Sequence, residues 1–262
     1  MSPMQTPQKP AARRVFITGA SSGLGEALAR HYAAEGAVLG LVARREDMLQ
    51  KLAASLDTEC LVYALDVRDS AGLKLAAENF MARLGVPDIV IANAGISQGT
   101  LTDQSDDLPA FQAVFDTNVL GMVHSFHPFV AAMCQAGHGS LVGIASVAGL
   151  RGLPGSAAYC ASKAAAISYL ESLRVELDAS GVCVTTLCPG FIQTPMTAEN
   201  PYRMPFLIDA KTAARKMARI IESQRRYAIL PWQMAIIGRI MQWLPPWAWD
   251  ALTRNLKRKL RH

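Results

Sequence analysis

A chain of 262 residues, 51% hydrophobic and 18% charged, has material for one large α/β core or two small ones and excludes a disordered composition. Its net charge of +5 collects at the ends: Lys9, Arg13 and Arg14 lie in residues 1–14, and Arg254, Lys257, Arg258, Lys259 and Arg261 in 251–262, with no acid in either stretch, so the body is −3. A nucleic-acid-binding domain spreads basic residues over a folded face, so this placement speaks against nucleic acid as the main partner.

Val15–Thr18 reads as a first strand. It runs straight into Thr18-Gly19-Ala20-Ser21-Ser22-Gly23-Leu24-Gly25, and a helical pattern follows over about 23–35. Glycines here let the backbone turn tightly and approach a pyrophosphate, while the helix N-terminus offers free N–H groups and a positive dipole end. The spacing is G-x-x-x-G-x-G rather than the commoner G-x-G-x-x-G, and the bland alternative is a plain strand-to-helix turn. The second strand, Ala37–Val42, ends in Ala43-Arg44-Arg45. About 20–25 residues past the glycine turn an NAD enzyme usually places an acid against the ribose 2′-hydroxyl. Ala43 occupies that place, and a guanidinium forks onto a phosphate that a carboxylate would repel. The reading is therefore NADP(H), with Arg44 as the main clamp, Arg45 assisting and Ser21 donating a hydroxyl. Otherwise the two arginines merely open a solvated helix over 46–56.

The third strand, Cys60–Leu65, closes on Asp66-Val67, where a carboxylate can accept from an adenine amino group or cap the helix over 70–84. The fourth, Asp88–Ala92, closes on Asn93-Ala94-Gly95, small enough for a ribose and nicotinamide to lie against the backbone. A long helix over 109–136 carries Asn118, which can supply an amide or hold a water. It also carries His124 and His127 on one face; no further ligand accompanies them, so core or interface positions are expected and no metal site. Ser140–Ala145 is the fifth strand and leads to Ser146, a hydroxyl able to donate to a substrate oxygen. The helix over 156–179 holds Tyr159 and Lys163 on one face at i,i+4. A free phenol has a pKa of about 10, and a neighbouring ammonium lowers it toward general acid–base work. Val182–Leu187 and Tyr227–Leu230 complete seven strands around a helix over 211–224. Thr194–Asp209, rich in Pro and Met and without periodicity, is a candidate lid.

This alternation predicts a Rossmann-like, doubly wound, mostly parallel seven-stranded α/β sheet with helices on both faces. The expected organisation is a disordered tail at 1–13, one dinucleotide-binding catalytic domain at 14–230, and an apolar C-terminal extension at 231–262.

In this order, Thr18-Gly19-x-x-x-Gly23-x-Gly25, Asp66, Asn93-Ala94-Gly95, Asn118, Ser146, Tyr159-x-x-x-Lys163 and Pro189-Gly190 with Thr194 resemble the classical short-chain dehydrogenases/reductases over about 14 to 224. The resemblance implies that Tyr159 is the general acid in reduction and the base in oxidation. It implies that Lys163 binds the nicotinamide ribose and depresses the Tyr159 pKa, that Ser146 polarises the carbonyl, and that Asn118 holds a relay water. Pro189, Gly190, Ile192 and Thr194 would flank the nicotinamide, and homodimers or homotetramers would be the usual assembly. Ala43-Arg44 looks like the NADP-preferring branch. Some NADP-dependent members carry a basic residue just before the second glycine, where Ser22 stands here; this departure leaves the 2′-phosphate mostly to Arg44 and room for NAD.

Substrate choice is expected from Gln98–Ser105, Leu150–Gly155 and Thr194–Asp209. They are largely apolar, which favours a medium-sized apolar ketone, aldehyde or secondary alcohol; Arg151 reads as a solvated loop residue. Five cysteines without a C-x-x-C pair suggest free thiols in a reducing, cytoplasmic setting, and the N-terminus shows no secretory pattern. All four tryptophans lie in 232–249, followed by the basic end. This apolar segment is expected to pack on its own body or on a second copy, the alternative being peripheral contact with an anionic membrane. The competing functional class is a non-catalytic NADP-binding sensor or scaffold, which has no need for Asn118, Ser146, Tyr159 and Lys163 together. An epimerase or dehydratase on this fold would want a larger C-terminal substrate domain.

Overall fold

The structure is a computed structural model and describes residues 12–198, 200 and 202–259. The tail expected at 1–13, apart from its last two residues, lies outside the described residues, as do Lys9 and Arg261. The chain forms β1 (Arg14–Thr18), α1 (Gly23–Ala34), β2 (Val38–Ala43), α2 (Glu46–Ala54), β3 (Cys60–Ala64), α3 (Ser70–Leu84) and β4 (Ile89–Ala92). There follow α4 (Leu108–Phe115), α5 (Gly121–Ala136), β5 (Gly139–Ile144), α6 (Ala157–Glu176) and β6 (Val182–Pro189). A short stretch of β7 (Ile192–Gln193), α7 (Pro195–Ala198) and β8 (Ile208–Asp209) leads to α8 (Ala210–Glu222), β9 (Tyr227–Leu230), α9 (Trp232–Trp243) and α10 (Pro246–Thr253).

Seven strands form one parallel sheet in the order β3-β2-β1-β4-β5-β6-β9. The chain winds outward from β1 to β3, returns beside β1 as β4, and then winds the other way. The reversal between β1 and β4 opens a crevice at the strand C-termini, where such sheets bind ligands. Alternation along each strand feeds two cores. Val15, Ile17, Leu39, Leu41 and Ile91 pack with α1 and α8 residues on one face. Phe16, Val42 and Val90 pack with Phe80, Phe126, Phe129 and Leu170 on the other.

On that second face Phe16 meets Phe80 edge-on at 5.4 Å between centroids and Phe129 at 4.8 Å. The cluster occupies the space over Gly40 in β2, where a Cβ would stand 2.7 Å from the Phe80 ring. Arg14 ties the entry of β1 to β4: its backbone N and Nε donate to Asp88 Oδ2 at 2.8 and 3.0 Å, and its Nη2 to Oδ1 at 2.9 Å. Arg13 pairs with Glu222 at 3.1 Å. Both arginines of the basic N-terminal stretch therefore have acidic partners within the fold.

The helix expected over 109–136 is continuous but not uniform. A π-helical segment, Asp116–Leu120, joins α4 to α5. The wider turn adds a residue and re-aims the side chains within it; Asn118, fully buried, is one of them. Truncating Phe80→Ala should lower unfolding stability by roughly 3–5 kcal/mol, read by urea denaturation. A loss below about 1 kcal/mol would contradict the packing described.

Candidate active site

The turn after β1 is built from absent side chains. Gly19 (φ 68°) and Gly23 (φ 59°) have the left-handed backbone that glycine tolerates. A Cβ on Gly19 would lie 2.8 Å from Ala94 Cα, and one on Gly25 would fall on the Gly19 carbonyl. Polar contacts close the same joint. Asn93 Nδ2 donates to the Thr18 carbonyl at 3.0 Å, and the Asn93 and Ala94 N–H groups donate to Thr18 Oγ1 at 3.2 and 3.3 Å. Thr194 covers Gly23 from the segment after β6, its Cβ 3.2 Å from where a glycine side chain would begin.

These contacts border a cavity of about 420 Å³ at the C-terminal edge of the sheet. Gly19, Ser21, Ser22, Gly23, Leu24, Arg44, Arg45, Asp66, Val67, Asn93, Ala94 and Gly95 line one arm, with Ser146, Tyr159, Lys163, Pro189, Gly190, Ile192 and Thr194 around the other. Of the residues expected to hold a cofactor, only Gly25 is set back from the wall.

At the first arm the two arginines take different paths. Arg44 is exposed and stands 3.9 Å from Asp66. Arg45 instead crosses the glycine turn, where one guanidinium nitrogen donates to Ser21 Oγ at 3.0 Å and Ser22 Oγ at 2.8 Å. It thus brings a positive charge to the position before the second glycine, where the sequence itself has only Ser22. Asp66 accepts from Arg68 Nη2 at 2.8 Å and from the Arg68 N–H at 3.0 Å. The Arg68 contact holds its carboxyl below the usual range. The cap of α3 is Asp69, not Asp66.

At the second arm α6 delivers Tyr159 and Lys163, and the end of β5 delivers Ser146. Lys163 is 4% exposed and donates to the Ile144 carbonyl at 2.8 Å. Its Nζ lies 5.9 Å from the Tyr159 ring centroid. It forms no ion pair among the described residues, and burial pushes its pKa down to about 8. Burial pushes the Tyr159 phenol up to about 12, while the Ser146 hydroxyl beside it acts in the opposite direction. Burial is the first cause of this shift, and Lys163, whose ammonium was expected to lower the phenol, is not among the groups acting on it. Cys188, at the end of β6, faces the same ammonium, and burial raises its thiol pKa.

Asn118 stands behind this wall. Its Oδ1 accepts from the Ile96 N–H at 2.8 Å; its Nδ2 donates to the Ile96 carbonyl at 3.0 Å and to Ser162 Oγ at 3.0 Å. Ser162 donates in turn to the Tyr159 carbonyl at 2.8 Å. Asn118 thereby fastens the segment after β4 to α6. Gly95 lies between Asn118 and Lys163, and a Cβ there would meet Oδ1 at 3.1 Å and Nζ at 3.5 Å. Ser162 escaped sequence reasoning because one more hydroxyl in a small-residue helix carries no signal.

The expected substrate segments divide. Met196 and Thr197 line the cavity, β7 and β8 pair at the base of the candidate lid, and the Tyr202 ring lies 6.2 Å from that of Phe191. Leu150–Pro154 instead borders a second hollow shared with Trp249, Asp250 and Thr253. Arg151 is not a solvated loop residue: its Nη1 donates to the Met241 and Leu244 carbonyls at 2.8 and 2.7 Å, capping α9, and its guanidinium lies 5.1 Å from the Trp249 ring centroid. His124 Nδ1 contacts the Val67 carbonyl at 3.0 Å, and His127 is exposed. Among the described residues no cluster of metal-ligating side chains occurs.

A parallel sheet with this reversal, a glycine turn closed on β4 and a Tyr/Lys/Ser group at the strand ends define a dinucleotide-binding oxidoreductase. The family model described as short chain dehydrogenase matches residues 13–204. An uncharacterized oxidoreductase of Myxococcus xanthus is 36% identical over 250 residues, 94% of this chain and 98% of that one. The 2-dehydro-3-deoxy-L-rhamnonate dehydrogenase (NAD(+)) of a Sphingomonas species is 35% identical over 81% of this chain and 85% of its own. An alcohol dehydrogenase of Thermococcus sibiricus, solved in complex with 5-hydroxy-NADP, superposes with a TM-score of 0.74 at 25% identity, covering 84% of this chain and 96% of that one. The chain belongs to the short-chain dehydrogenase/reductase family, whose members bind a nicotinamide dinucleotide and act on alcohol and carbonyl groups.

Proposed function

We propose that this protein is an NADP(H)-dependent oxidoreductase that interconverts a carbonyl and an alcohol on a small to medium, apolar substrate. The observation that carries the reading is that Ser146 and Lys163 both adjoin Tyr159 in the lining of the cavity that the glycine turn also borders. The cavity fits the cofactor on two counts. The turn has no room for side chains where a pyrophosphate would approach. The Lys163 ammonium uses one of three donors on protein, leaving the others for ribose hydroxyls.

When bound, the nicotinamide supplies or accepts the hydride. Ser146 donates a hydrogen bond to the substrate oxygen and orients it. Tyr159 delivers a proton to that oxygen in reduction and removes one in oxidation. Lys163 stabilises the charge developing on the phenol. Asn118 acts at one remove, holding the Ile96 backbone next to Gly95 and bonding Ser162 on the helix of Lys163. Burial raises the phenol pKa to about 12, so Tyr159 is protonated at neutral pH and able to donate. The apolar preference rests on Met196 in the wall and on Phe191 and Tyr202 beside it.

NADP(H) is the cofactor we assign because Ala43 stands where a ribose-binding acid would and two guanidinium groups border that arm. Arg45, held on Ser21 and Ser22, is the primary phosphate clamp, and Arg44 assists. Replacing Arg45→Ala should weaken NADPH binding by roughly 10- to 100-fold and leave NADH binding nearly unchanged, with a smaller loss for Arg44→Ala. Fluorescence titration reads both, and an equal loss of both cofactors would remove the assignment.

Turnover tests the chemistry. Against a panel of ketones, aldehydes and alcohols, Tyr159→Phe should lose at least ~10²-fold in kcat while still binding NADPH; unchanged turnover would sink the role given to Tyr159.

The pH profile follows from the two shifts. Reduction needs a protonated phenol and a charged ammonium, so it should be maximal below the Lys163 value of about 8 and decline above it. Oxidation needs the phenol to accept a proton, so it should rise with pH toward the Tyr159 value of about 12. Profiles of kcat/KM running the other way would exclude this pair as the titrating groups.

A further inference from the structure

We propose that α9, α10 and the basic segment after them form a docking surface for an anionic lipid bilayer, lying in its plane. One side of these two helices is committed to the body. Met234 packs over Gly190, and Gly238 approaches Leu150, a Cβ there meeting it at 2.7 Å. Arg151 caps α9, and Trp249 Nε1 donates to the Gly152 carbonyl at 2.9 Å. Both helices are therefore held in place.

Its other side has no partner in the fold. Trp232, Ile236, Ile240 and Trp243 recur at i,i+4 and i,i+3 along α9 and share one face. Trp243 is 90% exposed, Trp232 67%, and Ile236 and Ile240 more than half; Trp247 on α10 is 75% exposed. Large apolar side chains grouped in this way mark a surface that meets something.

Charge decides what it meets. Arg239, Arg254, Lys257 and Arg258 are exposed on the same segment, and Asp250 is its only acid. Arginine and tryptophan also occur at subunit interfaces, but a two-fold contact between copies of this chain would bring two such like-charged segments together. A bilayer face takes apolar side chains and cations together, with tryptophan at the headgroup level and lysine and arginine on phosphates. α9 has 12 residues, and among the described residues no helix is long and apolar enough to cross a membrane, so contact is parallel to the surface. The proposal does not depend on the chemistry assigned to Tyr159, and its test reads partition rather than turnover.

The full chain should co-sediment with vesicles of phosphatidylglycerol mixed with phosphatidylcholine and remain in the supernatant with phosphatidylcholine alone. Raising salt should release it, because surface charge is screened. The double variant Trp243→Ser/Trp247→Ser alters side chains that pack on little, so it should keep its thermal midpoint while its partition falls at least about tenfold. Arg254→Gln/Lys257→Gln should fall similarly. Wild type found in the supernatant with both vesicle types would overturn the proposal, as would tryptophan variants that pellet like wild type. Light scattering is run on the same samples. A wild-type oligomer that the tryptophan variant dissociates, with no vesicle binding by either, would show a contact between copies of this chain and equally overturn it.

Discussion

Gly19 and Gly25 let the turn after β1 close on itself and on the end of β4, in a space where any larger residue would meet backbone. The arrangement of the site follows from that closure. Thr18 and Asn93 lock the joint with hydrogen bonds donated from both strand ends, so the two strands flanking the sheet reversal share one rigid corner. The corner sets the distance between α1 and the segment Asn93–Ile96. That segment is gripped by Asn118 from the π-helical turn, and Asn118 is gripped in turn by Ser162 on α6. A path of short contacts thus connects the glycine turn to the helix carrying Tyr159 and Lys163, with the loop segments on it pinned by hydrogen bonds at each step.

Electrostatics divides the cavity into two ends. Arg44 and Arg45 give the first a positive border beside an Asp66 carboxylate already paired with Arg68. The second holds a single buried ammonium without a carboxylate partner among the described residues. Burial alone disfavours both that ammonium and an ionised phenol. At neutral pH, below both values, the pair is a neutral phenol beside an ammonium with donors to spare, which is the state a proton donor requires. The same ends explain why the cavity accepts an elongated, partly anionic molecule: negative charge is welcomed at one end and hydroxyl groups at the other.

Much of this was legible from residue order. All seven strands and the glycine turn stood out because parallel strands buried on both faces read as apolar runs with glycine at their ends. Tyr159, Lys163 and Ser146 could be placed because helical spacing and strand ends fix directions. What was not legible depends on contacts between distant segments. Arg44 and Arg45 are adjacent, and only the path of the chain into α2 decides which one turns back over Ser21 and Ser22. The π-helical turn at Asn118 leaves no compositional trace. Arg151 looked like a solvent residue because the α9 carbonyls it caps lie 90 or more positions away. The apolar C-terminal segment packs one side on its own body, as one of the expected arrangements has it, and leaves the other exposed in the single chain, a division periodicity cannot make when both sides are apolar.

The central claim is that one dinucleotide spans the cavity from Arg45 to Lys163 and ends beneath Tyr159. A crystal structure of the wild-type protein with NADPH tests it most directly. The account predicts the 2′-phosphate against the guanidinium of Arg45, the pyrophosphate over the glycine turn, ribose hydroxyls on Lys163, and the nicotinamide ring facing the Tyr159 phenol. A cofactor bound with its nicotinamide turned away from Tyr159, or with its 2′-phosphate far from both arginines, would contradict it.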